Sequence, residues 1–171
     1  MAILPIRTLG DPVLRENSHP VERFDGSLRR VADDMFETMH AAPGVGLAAN
    51  QVGIAMRFFV FDDGDGNEGF VANPVLSAME EEEENDEGCL SIPGPFFPTK
   101  RALRVTISGL DLAGEPIEMT GEGLLARIFQ HETDHINGHL YIDRLDDAGR
   151  REVMRMLREH DLKREQEART L

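Results

Sequence analysis

The sequence has a single cysteine, Cys89, and no tryptophan among its 171 residues. One thiol cannot form an intramolecular disulfide, so the chain is not a disulfide-stabilised scaffold, and a free thiol suits a reducing compartment. Long apolar runs are also lacking, and the start of the chain, MAILPIRTLGDP, has only a short apolar stretch that Pro5 interrupts. This stretch is typical neither of a signal peptide nor of a membrane span, so we expect a cytoplasmic protein.

Basic residues are few compared with acidic ones. Lys and Arg number 18 against 32 Asp and Glu, which gives a formal net charge of -14. An acidic surface repels phosphate, and this argues against general nucleic-acid binding and against binding to anionic membranes. Residues 80–84 are five consecutive glutamates, which we expect to form a solvated loop without a chemical role.

The remaining sequence has the pattern of one mixed domain with helices at both ends. Apolar residues spaced as i, i+3, i+4 and i+7 over 28–39 predict an N-terminal helix, which Asp25 would cap. The same kind of spacing predicts a C-terminal helix over 148–171. Four segments read as strands: 57–61, 70–76, 103–107 and 117–119. The Asp- and Gly-rich segment 62–69 reads as a hairpin turn between the first two strands.

Residues 130–138 read QHETDHING and contain the pattern HExxH. On a helix, His131 and His135 lie one turn apart and project from the same face. Leu124 and Ile128 fall on that face as well, so the two imidazoles lie in an apolar stripe. Because buried imidazole nitrogens need partners, this placement favours a divalent metal ion that both nitrogens can bind.

Glu132 lies at the edge of this stripe, where its carboxylate can act on water at a metal site without being a ligand. Cys89 lies in the tight segment 87–94, EGCLSIPG, and could supply a third ligand. Together with His131 and His135 it would form a set of one sulfur and two nitrogens. Three protein ligands leave one tetrahedral position open, which is typical of a catalytic rather than a structural site.

From these residues alone, three other interpretations stay open. An HExxH metallopeptidase acting on internal peptide bonds would take its third ligand downstream, where His139 is available. A Cys-His enzyme would use Cys89 as its nucleophile and need no metal ion. A non-catalytic binding module stabilised by zinc would usually need a fourth protein ligand.

A third motif makes the combination more specific. Residues 44–53 read GVGLAANQVG, where glycine and alanine permit close packing of the backbone. The stretches GVGLAANQ, EGCLS and QHETDH, in this order and at these separations, resemble the three signature motifs of peptide deformylases. The likeness extends from residues 8–12, TLGDP, to residues 140–145, LYIDRL.

The resemblance implies both an activity and a fold. The activity is removal of the formyl group from the N-terminal formylmethionine of newly synthesised polypeptides. The fold is α+β, with mostly antiparallel sheets packed around a central helix that carries the HExxH motif, plus an N-terminal and a C-terminal helix. Residues 1–147 would form the catalytic deformylase domain, and 148–171 a helical extension of the same domain.

The resemblance also implies a role for each matching residue at the centre of the site. Cys89, His131 and His135 match the metal ligands, with Fe²⁺ the usual ion and Zn²⁺, Ni²⁺ or Co²⁺ able to substitute. Glu132 matches the general base, which takes a proton from water and later gives it to the departing amine.

Further residues match positions around the substrate. Gln51 and the backbone N–H of Leu90 match the donors to the oxyanion. Six positions match substrate-binding ones: Val45, Gly46, Gly88, Arg101, Leu124 and Ile128. Of these, Arg101 corresponds to an arginine near the mouth of the site.

The C-terminal helix resembles that of the bacterial and organellar deformylases that end in a helix. From Arg150 onward it carries 7 basic and 5 acidic residues, so it is locally basic on an acidic protein. In that subgroup such a helix can dock on the ribosome. The resemblance therefore implies formylmethionyl nascent peptides as substrates and the ribosome as a partner of this helix.

Overall fold

Three helices and one antiparallel sheet make up most of the part of the chain that this computed structural model describes, residues 2–170. The helices are α1 (Gly26–Ala41), α2 (Leu124–Ile136) and α3 (Asp147–Thr170). The strands are β1 (Gly46–Ala48), β2 (Phe58–Asp62), β3 (Glu68–Cys89), β4 (Ile92–Leu110) and β5 (Pro116–Glu122). Single turns of 3-10 helix lie at Pro12–Arg15, Ala49–Val52 and Tyr141–Arg144.

The five strands follow one another across the sheet in chain order, each antiparallel to its neighbours. The predicted hairpin between β2 and β3 is confirmed, with Asp62 paired to Glu68. Strands β3 and β4 form a much longer ribbon, which ends in a tight turn where Cys89 pairs with Ile92. The site-forming segment 87–94 is therefore the end of a hairpin.

Helix α1 confirms the N-terminal prediction and closes one side of the sheet. The Asp25 carboxylate caps it by accepting hydrogen bonds from the backbone N–H groups of Ser27 and Leu28. Its apolar face, which includes Met35 and Met39, packs in one buried cluster with strand residues such as Phe58. This cluster forms the core on the α1 side.

Helix α2 is the central helix that the sequence predicts. It begins after Gly123, whose φ of 58° lies in the left-handed region, and every residue from 126 to 136 is buried. Phe129 packs against Phe61 with ring centroids 5.3 Å apart, in a second core cluster between α2 and the sheet. The HExxH segment is thus held inside the protein, and the α+β fold class is confirmed.

Helix α3 packs on the ribbon next to the turn at Cys89. Val153 is fully buried in a third cluster with Ile92 and Tyr141, and Cys89 packs against this cluster. Gly149 lies against the ring of Phe97 in β4. The first half of α3 is therefore part of the core, whereas its described side chains from 161 to 168 are exposed.

The prediction of a loop for the glutamate run was wrong. Residues 80–84 belong to β3, which pairs with β4, and all of them are exposed except the half-buried Glu83. Basic residues on β4 stand opposite them: Glu84 pairs in register with Lys100, and the carboxylate of Glu82 lies 3.1 Å from the Lys100 ammonium group. Cross-strand charge pairs of this kind offset the low strand propensity of glutamate.

Candidate metal centre

The two histidines of α2 and the cysteine of the β3–β4 turn converge on one point. The Nε2 atoms of His131 and His135 are 3.1 Å apart, and Sγ of Cys89 lies 3.2 Å from Nε2 of His135. All three ligand atoms lie within 4.8 Å of one another. A tetrahedral ion bonded at about 2.0–2.3 Å brings its ligand atoms this close together, so the residues fit a divalent metal ion.

The donor set also suits a catalytic ion. A thiolate and two imidazoles provide three ligands, and soft sulfur with nitrogen is compatible with several first-row ions. Within residues 2–170, Cys89, His131 and His135 form the one group of three or more His, Cys, Asp or Glu side chains that lie close enough together to hold an ion. Three protein ligands would leave a fourth tetrahedral position for solvent or substrate.

Glu87 fixes the orientation of His131. Its carboxylate lies 2.6 Å from Nδ1 of His131, and it also accepts hydrogen bonds from Arg101 and Arg127. Burial alone would raise the pKa of Glu87, but Arg101 and His131 outweigh it, so the pKa of this carboxyl is well below its usual value. An ionised carboxylate can only accept, so Nδ1 of His131 carries the proton and Nε2 is left to bind a metal ion.

The charge network continues behind Glu87. Arg101 donates to Asp134 at 2.6 Å, and Asp134 also accepts two hydrogen bonds from Arg144, at 2.8 and 2.6 Å. Arg127 extends the network to Glu83, 3.3 Å away. Three carboxylates thus alternate with three guanidinium groups, and each buried charge is paired, as a buried ionic network requires.

Glu132 also lines the site, but its carboxylate has different surroundings. Its Oε2 atom is buried and has no hydrogen-bond partner, and burial raises the pKa of Glu132 to about 7. A β-carbon at Gly46 would lie 2.8 Å from Cδ of Glu132, so glycine at this position makes room for the carboxylate. A carboxyl with a pKa near neutrality can both accept and return a proton.

Gln51 is held rigidly beside Cys89. Its side-chain oxygen accepts from the backbone N–H of Ala48 at 2.9 Å, and its side-chain nitrogen donates to the hydroxyl of Ser91 at 3.1 Å. The same nitrogen lies 3.7 Å from Sγ of Cys89. This network orients the N–H groups of the amide toward the metal centre.

A cavity of about 550 Å³ opens onto this cluster. Among the residues that line it are Cys89, His131, Glu132, Gln51 and Leu90. Of the predicted substrate-binding positions, five line the same cavity: Val45, Gly46, Gly88, Leu124 and Ile128. The structure therefore brings nearly all of the predicted site residues to one place.

Comparison with known proteins identifies the family. The family model described as polypeptide deformylase matches residues 3–151. The chain belongs to the peptide deformylase family. A curated peptide deformylase from Acidothermus cellulolyticus is 52% identical over 159 residues, which are 93% of this chain and 88% of that protein.

Solved deformylase structures share the fold. A peptide deformylase from Legionella pneumophila superposes with a TM-score of 0.91 at 43% identity, covering 95% of this chain and 98% of that one. A deformylase from Synechococcus elongatus, solved in complex with actinonin, gives 0.85 at 39% identity, covering 91% and 85%. As a member of this family, the chain is a metal-dependent hydrolase.

The structure corrects the predicted position of one deformylase residue. Arg101 was expected near the mouth of the site, but its side chain is 0% exposed and is paired with Glu87 and Asp134. It lies behind His131 and away from the cavity lining. The arginine that does border the cavity is Arg127, to which the sequence analysis assigned no role.

Two other residues of the deformylase motifs were also left without a role. Glu87 and Ser91 both lie in the EGCLS motif, yet only their contacts show that one orients His131 and the other Gln51. Gly88 was expected to be a substrate-binding position, and in the structure it makes room for the ring of Phe96. The position of Glu87 in the motif could have indicated its role, because carboxylates near metal ligands often orient a ligand through a hydrogen bond.

Among residues 2–170, no helix is both long and apolar enough to cross a membrane.

Proposed function

We propose that this deformylase removes the formyl group from N-formylmethionyl peptides with Cys89, His131 and His135 as the ligands of one divalent ion. The observation that carries this assignment is the convergence of the three ligand atoms beside the cavity. The buried Glu132 lines the same cavity. The ion is Fe²⁺ in this proposal, with Zn²⁺, Ni²⁺ or Co²⁺ as substitutes, since the donor set suits each of them.

A bound ion would act as a Lewis acid that activates water toward the formyl carbon. The protein residues do the rest. Glu132 takes the proton of the attacking water and returns it to the amine nitrogen as the carbon–nitrogen bond breaks, so that formate and a free N-terminus are released. Its raised pKa suits a group that must gain and lose one proton in each cycle.

Two donors would stabilise the charge that develops on the formyl oxygen. One is the side-chain amide of Gln51, whose rotamer is fixed by Ala48 and Ser91. The other is the backbone N–H of Leu90, which lies in the tight turn after Cys89. Donors that are oriented before the reaction are worth more than mobile ones, because no reorganisation is needed in the transition state.

The methionine side chain would occupy the apolar part of the cavity. Val45, Leu124 and Ile128 line this part and carry no polar side-chain groups. Gly46 and Gly88 add backbone without side chains to the cavity lining. An unbranched, apolar side chain such as methionine fits irregular apolar walls well.

The metallopeptidase alternative is not favoured. It needs a third ligand downstream of the helix, but the group that converges with His131 and His135 contains Cys89 instead. His139 is exposed and lies beyond the end of α2. Replacement of Cys89 by serine separates the two interpretations, because a deformylase loses most of its metal and a peptidase with another third ligand retains it.

The decisive experiment is deformylation of formyl-Met-Ala-Ser by protein purified without oxygen, with metal content measured on the same sample. We expect formate release with about one divalent ion per chain. Protein that is loaded with metal and does not release formate would leave the ligand set standing and overturn the proposed reaction. Inhibition by actinonin, which is bound in the Synechococcus elongatus structure, provides an independent test of the same cavity.

We further propose that 148–171 is a helical extension of the 1–147 catalytic domain and docks on the ribosome. Its first half is anchored by Val153, and its exposed face carries arginines that include Arg151 and Arg158. Guanidinium groups on a regular helix can contact successive phosphates of RNA. The locally basic charge supports this surface on an otherwise acidic protein.

Truncation after Arg150 would remove buried Val153 and disturb the core, so substitutions on the full chain are the better test. In the double variant Arg151→Ala with Arg158→Ala, we expect weaker co-sedimentation with ribosomes. The matched control is Arg29→Ala with Arg30→Ala, which removes two exposed arginines from α1. Equal co-sedimentation of both variants and the parent would overturn the docking proposal.

A further inference from the structure

Exposed apolar side chains gather at the mouth of the cavity. Three of the large hydrophobic side chains most exposed in residues 2–168 line it: Val45, Leu124 and Phe96, which are 42%, 48% and 64% exposed. Exposed apolar groups that surround a cleft are typical of a binding surface for an apolar ligand. Val45 and Leu124 are explained by the methionine pocket, whereas Phe96 is not.

Phe96 is held in place by its strand neighbours. It pairs with Gly88 across the ribbon, and a β-carbon at Gly88 would lie 2.6–2.8 Å from the ring atoms of Phe96. The glycine thus lets the ring lie directly over the backbone beside Cys89. The ring is fixed over one edge of the site, and more than half of its surface remains open to solvent.

The backbone on either side of Phe96 is conformationally restricted. Pro95 and Pro98 restrict the backbone, and Gly94 adopts a φ of 103° next to Pro95. The imidazole of His160 in α3 packs against Gly94 from the outside. A fixed aromatic side chain loses little entropy when a ligand packs on it, and this favours selective contact.

Charge at the mouth disfavours acidic ligands. Asp86 lies on the cavity wall next to Glu87, and both are acidic. The guanidinium group on this wall belongs to Arg127, which is already paired with Glu83 and Glu87 and donates to the carbonyl of Thr99. The wall therefore presents an aromatic ring beside a negative charge.

We propose that Phe96 determines specificity for the residue that follows formylmethionine, and that it selects a large apolar, preferably aromatic, side chain. This inference rests on the proposed deformylase function. With the methionine in the inner pocket, the next side chain of the peptide emerges at the mouth, where the ring of Phe96 is the largest exposed apolar group. Stacking on this ring stabilises an aromatic side chain more than it stabilises alanine.

The test compares formyl-Met-Phe-Ser with formyl-Met-Ala-Ser, and the measured quantity is the ratio of their kcat/KM values. We expect a ratio of about fivefold to tenfold in the parent, carried mainly by KM, and a ratio near one in Phe96→Ala. In Phe96→Lys, a cation replaces the ring, and the preference should move from formyl-Met-Phe-Ser toward formyl-Met-Asp-Ser by about tenfold.

Phe97→Leu is the matched control, because Phe97 follows directly in β4, packs on Gly149 and does not line the cavity. It should leave the ratio at the parent value. A Phe96→Ala variant that loses activity equally on both peptides would show that the ring is only packing on Gly88, and the proposal would be wrong.

The results distinguish failure of the proposed deformylase function from failure of the specificity role of Phe96. A parent enzyme that deformylates none of the three peptides overturns the proposed function. A parent that deformylates formyl-Met-Phe-Ser and formyl-Met-Ala-Ser with the same kcat/KM overturns the specificity role of Phe96 and leaves the deformylase function intact.

Discussion

Two buried carboxylates, Glu87 and Glu132, line the same site, and they are prepared for different tasks. Glu87 and Glu132 are almost equally buried, at 4% and 3% exposure. The pKa of Glu87 is nevertheless well below its usual value, whereas that of Glu132 is raised to about 7. Both carboxyl groups are largely buried, so the opposite directions of their pKa shifts come mainly from their partners.

The partners of Glu87 are two guanidinium groups and the imidazole of His131, and together they outweigh the penalty of burial. Oε2 of Glu132 has no hydrogen-bond partner, so desolvation dominates there. A fully paired carboxylate is a fixed support, and a desolvated one is available to exchange a proton. The site thus separates the residue that orients a ligand from the residue that performs proton transfer.

The largest effect is expected from Glu132→Ala. This change removes the proton carrier and leaves Cys89, His131 and His135 in place, so kcat should fall by about a thousandfold or more while metal content is retained. Deformylation kinetics and metal analysis on the same preparation measure both quantities. Activity within about tenfold of the parent would contradict the role of Glu132 as general base.

Glu87→Gln should lower kcat less than Glu132→Ala does, but it should weaken metal binding more. The amide keeps the shape of Glu87 but lacks its charge, so the orientation of His131 weakens and metal affinity should fall about 10–100-fold. Arg101 and Arg127 lose a buried counter-charge, which should lower the free energy of unfolding by about 3 kcal/mol.

Competition with a chelator measures the metal affinity, and urea denaturation of the metal-free protein measures the stability. Glu83→Gln is the matched control, because Glu83 pairs with Arg127 as Glu87 does, whereas Nδ1 of His131 is bonded to Glu87. If both variants bind metal equally well, Glu87 does not act through His131.

Asp134→Asn should affect stability without much change at the metal. Asp134 bonds Arg101 and Arg144 but lies one step further from His131 than Glu87 does. Loss of its charge should lower the free energy of unfolding by about 2 kcal/mol, while metal affinity stays within about threefold. A loss of metal affinity as large as that of Glu87→Gln would show that the whole network, and not Glu87 alone, orients the ligand.

The sequence predicted the parts of this site that depend on local periodicity. The spacing of His131 and His135 on a helix follows from the helical repeat, and α2 is confirmed as the central helix. The segment around Cys89 was recognised because its motif is short and continuous. Features confined to a few neighbouring residues are accessible without a structure.

Contacts between distant segments were not accessible in the same way. Glu87 and His131 are separated by 44 residues, and which arginine approaches Glu87 depends on the register of β3 and β4. Arg101 was therefore placed at the mouth of the site, although its side chain points into the buried network. The run 80–84 was misjudged for a related reason, since pairing with β4 overrides the local preference of glutamate.

Replacement of exposed glutamates of β3 should have the smallest effect on catalysis. Beyond Ala72 no pairing with β2 is found in the described chain, so residues 80–84 have a strand neighbour only on the β4 side. Charged side chains on such an edge prevent pairing with a second molecule. In the triple variant Glu80→Thr, Glu82→Thr and Glu84→Thr, kcat/KM should stay within about twofold of the parent.

The same triple variant should associate as its concentration rises, because threonine favours strand pairing and the charges that oppose it are gone. Light scattering across a concentration series measures this association. The control variant Glu159→Gln, Asp161→Asn and Glu167→Gln removes three negative charges from exposed positions of α3, where no strand edge exists. Association of both variants to the same extent would attribute the effect to net charge, whereas association of the β3 variant alone would show that these glutamates protect the edge of the sheet.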